Sequence, residues 1–181
     1  MRQKIKKIII AGSGGQGIVL AGNILARACI LEGKNVTAMV SYGVEMRGGT
    51  ANASIVISDK EIASPVVENP DIAIILNQQS LNKFEGEIAK GGLIILNSSL
   101  IERPHKRSDL DVAEINATEI ADQLGDTRAA NIIAIGALIK KTGILKIENI
   151  EKAILEIFSK KRPELIELNK NALQKGAELC L

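Results

Sequence analysis

Aromatic residues are nearly absent from this chain of 181 residues, which has one Tyr, two Phe and no Trp. A nucleic-acid binder built on stacked aromatics is therefore not expected, and a formal net charge of +2 supplies no basic footprint for a phosphate backbone. Cys29 and Cys180 are the only cysteines and His105 is the only histidine, so this chain alone cannot assemble a zinc or iron–sulfur ligand set, and no metal is expected on it. No apolar run approaches the roughly 20 residues of a membrane span. The amino-terminal stretch MRQKIKKIIIAGSGG is basic but has no apolar segment of signal-peptide length before its glycines. Together these absences predict a cytoplasmic, reduced chain that stays out of membranes. With only four prolines, nothing reads as a long disordered or low-complexity segment.

What remains is aliphatic. Hydrophobic residues make up 46% of the chain, and the length suits a single domain over 1–181, able to bury roughly 70% of its unfolded surface. Ile8 to Ile10 form a short apolar run bounded by glycine, the pattern of a strand buried on both faces of a parallel sheet. IVLAGNILARACILEG then reads as a helix from Ile18 to Leu31, with Gly33 at its carboxyl cap, and Val36 to Ser41 as a second strand. The first 41 residues thus predict a β-α-β unit. Further strands are expected at Ala53–Ser58, Asp71–Asn77, within GGLIILNS and at Val112–Asn116, with a helix between Gln78 and Lys90. The polar IERPHKRSDLD reads as a surface loop in which His105 is solvated. Helices follow over Thr118–Leu124, Asn131–Lys141, Ile147–Lys160 and Glu164–Leu179; Ile147, Ile150, Ile154 and Ile157 keep the spacing of a one-sided apolar stripe. The fold class is α/β: a three-layer, mostly parallel sheet with a Rossmann-like first unit and carboxyl-terminal helices. Cys29, inside an apolar helix, is expected in the core.

Two loops carry the chemistry. In GSGGQG, Gly12, Gly14 and Gly17 keep the G-x-G-x-x-G spacing between a strand and a helix, where bare backbone and a helix amino terminus can meet a phosphate. The alternative is that these glycines only make a tight turn. A dinucleotide site would also need an acid at the end of the second strand, and NVTAMVSYG has none; Glu32 precedes the strand and Glu45 lies beyond it. No G-K-[ST] follows to support a P-loop. The second loop, SYGVEMRGGTANAS, combines Tyr42, Glu45, Arg47, Gly48, Gly49, Thr50 and Asn52. Arg47 offers a planar fork for carboxylate or phosphate and the glycine pair permits close approach of another chain; the alternative is an Arg–Glu pair that only shapes the loop. Tyr42 either stacks on a ligand or caps the sheet. Asn131, opening NIIAIGALI, is read as a helix N-cap.

AGSGGQGIVLAGNILA, SYGVEMRGGTANASIVIS, NPDIAIILNQQSLNKF and AANIIAIGALIKKTG, in that order, resemble the gamma subunit of the 2-oxoacid:ferredoxin oxidoreductases over nearly the whole chain. The NQQSLNKF segment is closer to the 2-oxoglutarate type than to the pyruvate type. The resemblance implies a subunit, not active alone, of an enzyme that converts a 2-oxoacid and coenzyme A into acyl-CoA and CO2 with electrons passed to ferredoxin. It implies thiamine diphosphate, Mg and [4Fe-4S] clusters on partner alpha, beta and ferredoxin-like subunits. For this chain it implies coenzyme A contacts at Gly12, Ser13, Gly14, Gly15, Gln16 and Gly17 with Asn23 nearby, and no catalytic residue. Lys34 is a candidate for one of the coenzyme A phosphates. Tyr42, Glu45, Arg47, Gly48, Gly49, Thr50 and Asn52 are assigned to a subunit interface or active-site lid. Two other readings stay open: a stand-alone nucleotide- or flavin-binding oxidoreductase, and a purely structural assembly subunit.

Overall fold

The structure, a computed structural model, describes residues 5–42, 50–159 and 162–179. Strands β1 (Ile5–Ser13), β2 (Asn35–Tyr42), β3 (Thr50–Ser58), β4 (Ile72–Ile75), β5 (Leu93–Asn97) and β6 (Asp111–Ile115) form one sheet in the order β2-β3-β1-β4-β5-β6. The pairs β1–β4, β4–β5 and β5–β6 are parallel, as the buried aliphatic runs predict. The β-α-β unit is present, but β3 is inserted antiparallel between its two strands, so β1 and β2 do not touch. That insertion also removes the neighbouring strand from which a dinucleotide fold reads the ribose.

Helices cover both faces. On one, Ile8 and Ile10 pack with α1 (Ile18–Leu31), α4 (Ala130–Thr142), α5 (Ile147–Phe158) and α6 (Ile166–Glu178); on the other, Ile9, Ala11, Ala73, Ile75, Ile94 and Leu96 meet Leu81, Phe84 and Ile88 around α2 (Gln78–Phe84). Strand alternation sends neighbouring isoleucines of β1 into different layers. A short α3 (Ala117–Gln123) precedes α4. Every residue of α4 from Ala130 to Ile139 is buried, and α6 crosses it at Gly136 and Gly176, where a Cβ on either glycine would overlap backbone of the other helix.

The carboxyl end of α1 closes as predicted: Gly33 takes a left-handed φ of 72°, and Lys34 N–H donates to the Cys29 carbonyl at 2.9 Å. Glu32 serves this junction, accepting from Lys146 N–H (2.8 Å) and Asn149 Nδ2 (3.1 Å) and so fixing the start of α5. The polar stretch after β5 is more tightly held than its composition suggests. Buried Glu85 accepts from the N–H groups of Lys106 and Arg107, and His105 is half-buried with Nδ1 2.9 Å from the Arg107 carbonyl.

Cys29 is fully buried, and burial pushes its thiol up to about 12. Because the unfolded thiol titrates near 8.5, the protonated form favours the folded state below that pH, and this contribution is lost as pH rises towards 12. The native chain should therefore leave Cys29 unmodified by iodoacetamide at pH 8, whereas denaturant should permit alkylation; peptide mass spectrometry reads the difference.

Candidate functional site

β1 runs into α1 on one face of the sheet, and β4 runs into α2 on the other. Their carboxyl ends therefore flank a topological switch point, the place where open α/β sheets form ligand crevices. The glycine turn lies there. Its shape is set internally by Gln16, whose Oε1 accepts from Ser13 N–H (2.7 Å) and Ser13 Oγ (3.1 Å) while Nε2 donates to the Leu76 carbonyl (3.3 Å). Both ends of the Gln16 amide are thus used inside the protein. Gly12 is needed for the same reason, since a Cβ there would stand 2.5 Å from Gln16 Oε1.

Gly15 (φ 91°) and Gly17 (φ 69°) occupy left-handed backbone that other residues rarely adopt. Gly17 caps α1 without help from a side chain. Among the described residues, the N–H groups of Gly14, Gly15, Gly17, Ile18, Val19 and Leu20 find no protein acceptor. Gly14 and Gly15 are exposed, and a Cβ at Gly14 would meet nothing within 4 Å. The turn therefore presents a run of donors at the positive end of a 14-residue helix, an arrangement suited to an anion.

The second motif reaches the same end of the sheet. Thr50 pairs with Ser13 and Ala51 with Gly12, while Tyr42 pairs with Ala51 from the other side. Thr50 accepts a hydrogen bond from Lys83 Nζ at 3.3 Å, and Asn52 is half-buried opposite Ala11. Tyr42 is 66% exposed on edge strand β2, beside exposed Met39 and Val40. Glu45, Arg47, Gly48 and Gly49 lie outside the described residues.

Alongside the turn, a cleft of about 230 Å³ is lined by Gly15, Gly17, Arg128, Asn131, Phe158 and Arg162 among others. A second depression along α1 shares Leu20, Phe158 and Arg162 and extends to exposed Asn23, so Asn23 and the turn border one groove. Arg128 is neutralised by Asp126, whose carboxyl is held below the usual range chiefly by the Arg128 hydrogen bonds. Arg162 makes no ion pair within 4 Å among the described residues, although its charge adds to that of Arg128 in lowering the Asp126 carboxyl. It is the cation of the groove that sequence reading missed. Only its place at the α5–α6 junction brings it to the glycines.

Two sequence expectations change. Lys34 pairs with Asp59 at 2.9 Å in a cleft of about 530 Å³ at the amino end of β1. Eight steps of strand, roughly 26 Å at the usual rise per residue, separate that end from the turn; Lys34 is not a phosphate ligand there. Asn131 does not cap its own helix, for Ala129 is the N-cap. Its amide instead reaches the glycine turn, because Gly17 has no side chain in the way.

The model of the pyruvate ferredoxin/flavodoxin oxidoreductase family matches residues 7–179. The chain belongs to this family. The 2-oxoglutarate synthase subunit KorC of Methanocaldococcus jannaschii is 39% identical over 179 residues, covering 97% of this chain and 94% of that one. The gamma subunit of a keto/oxoacid ferredoxin oxidoreductase from Geobacter sulfurreducens superposes with a TM-score of 0.83 at 32% identity, covering 97% of this chain and 98% of that chain. A 2-oxoglutarate:ferredoxin oxidoreductase from Magnetococcus marinus, with 2-oxoglutarate, coenzyme A and succinyl-CoA bound, shares the fold at a TM-score of 0.88 and 22% identity; this chain spans 31% of it. The gamma-subunit resemblance read from the motifs is thus borne out, and this family member is a subunit of a 2-oxoacid:ferredoxin oxidoreductase. Among the described residues, no helix is long and apolar enough to cross a membrane.

Proposed function

We propose that this subunit takes up coenzyme A for an oxidoreductase acting on 2-oxoglutarate, with the diphosphate of coenzyme A resting on the turn from Gly12 to Gly17. The observation that carries this reading is the set of acceptor-free N–H groups from Gly14 to Leu20 at the start of α1. Coenzyme A carries a second anionic group, the 3'-phosphate, for which Arg162 is the available cation, and Asn23 borders the path between them. Further support comes from the Magnetococcus enzyme, which holds coenzyme A, and from KorC, whose own name gives 2-oxoglutarate synthase.

Bound coenzyme A supplies the thiol that accepts the acyl group. This chain's residues bind and orient it. Thiamine diphosphate with Mg and the [4Fe-4S] clusters belong to alpha, beta and ferredoxin-like partners, and ferredoxin takes the electrons. The exposed strip of Met39, Val40 and Tyr42 at the open edge of β2 suits a partner subunit, with Glu45, Arg47, Gly48, Gly49, Thr50 and Asn52 continuing that interface.

Arg162→Ala in the purified complex should raise KM for coenzyme A about fivefold, the effect of roughly 1 kcal/mol for an exposed charge-assisted contact. The same change should leave KM for 3'-dephospho-coenzyme A nearly as in wild type. Steady-state kinetics with both compounds checks it, and equal losses on both would remove Arg162 from the 3'-phosphate. Co-purification under anaerobic conditions tests the wider reading: thiamine-binding and ferredoxin-like partners should accompany the tagged chain, and emergence of the chain alone would count against it.

A further inference from the structure

Asn131 is 1% exposed in a helix whose neighbouring positions are apolar, yet its amide is only half satisfied. Nδ2 donates to the carbonyls of Gln16 (2.9 Å) and Gly17 (3.0 Å), whereas Oδ1 is buried with no partner. A buried orphan acceptor is a cost that alanine or leucine at the same place would not incur. The amide's two donor bonds must therefore serve something other than the packing of α4.

The geometry of the peptide unit shows what. In a trans peptide the N–H points opposite to the carbonyl of the preceding residue. Drawing the carbonyls of Gln16 and Gly17 towards α4 consequently turns the N–H groups of Gly17 and Ile18 away from it, and both belong to the set without a protein acceptor. The clamp spans 115 positions of sequence and closes only because residue 17 has no Cβ, which would overlap Asn131 Nδ2. We propose that Asn131 is a positioning residue for coenzyme A: it touches no ligand itself but fixes the direction of the donors that meet the diphosphate. The inference rests on the placement of coenzyme A at the glycine turn.

The test is calorimetric titration of the anaerobically purified complex with coenzyme A, paired with hydrogen exchange of the peptide covering 13–21. Asn131→Ala is expected to weaken coenzyme A binding about tenfold and to speed exchange across the turn. Subunit composition and KM for 2-oxoglutarate should stay as in wild type. Purely structural damage would instead depress the parameters of both substrates together. If Asn131→Ala does not assemble, Asn131→Ser, which keeps one donor, should give an intermediate loss. Wild-type affinity in whichever variant assembles overturns the inference. Gly14→Val separates the two levels: if it also binds as wild type, coenzyme A lies elsewhere and the placement falls with the clamp, whereas a loss in Gly14→Val alone removes only the role of Asn131.

Discussion

Gly176→Val should destabilise the chain more than any surface substitution, because the side chain would be built into backbone. An added Cβ at Gly176 overlaps the Ile133 carbonyl of α4, and the reciprocal Gly136 is as tightly placed against Leu173. Helix backbones can yield only by separating, and α4 is buried along its first ten residues, so separation opens the larger of the two cores. Overpacking of this kind costs roughly 1–3 kcal/mol and occasionally more; at about 3 kcal/mol a domain of this size melts roughly 6–12 °C lower. Thermal unfolding followed by circular dichroism checks it. A melting temperature within a degree of wild type would mean that α6 does not cross α4 in this register.

Gly14→Val should have the opposite profile: full stability and poor use of coenzyme A. Nothing lies within 4 Å of a Cβ at Gly14, and its φ is not in the left-handed region, so the fold accommodates the change. The valine methyls would then stand beside the exposed donors of the turn. KM for coenzyme A should rise at least about tenfold, a loss of roughly 1.4 kcal/mol, with KM for 2-oxoglutarate and the melting temperature unchanged. Kinetics of the complex alongside thermal unfolding decide it, and unaltered kinetics would show that the turn does not face the ligand.

Much of this architecture was legible in sequence because burial on two faces leaves a strong mark. Ile8–Ile10, IAII and LIILN each read as strands of a parallel sheet, and α5 showed itself through isoleucine spacing. Insertion of β3 was not legible, since periodicity reports that a segment is extended but not which neighbour it pairs with. Thr50 to Asn52 looked like loop for a related reason: small polar residues gave no apolar signal, and only pairing with Ser13 to Ala11 makes them strand. At the site, glycine spacing announced the turn, but not that the Gln16 side chain is spent on Ser13 and Leu76, which only the folded geometry brings within its reach. Asn131 and Arg162 reach the turn only through tertiary packing; an amide inside the apolar run NIIAIGALI was the one clue to the former.

The most direct test of the central claim is a structure of the whole complex with coenzyme A bound. The diphosphate oxygens should lie within about 3 Å, hydrogen-bond distance, of backbone N–H groups between Gly14 and Leu20. Coenzyme A ordered elsewhere in the complex, with that turn contacting only protein, would contradict the account.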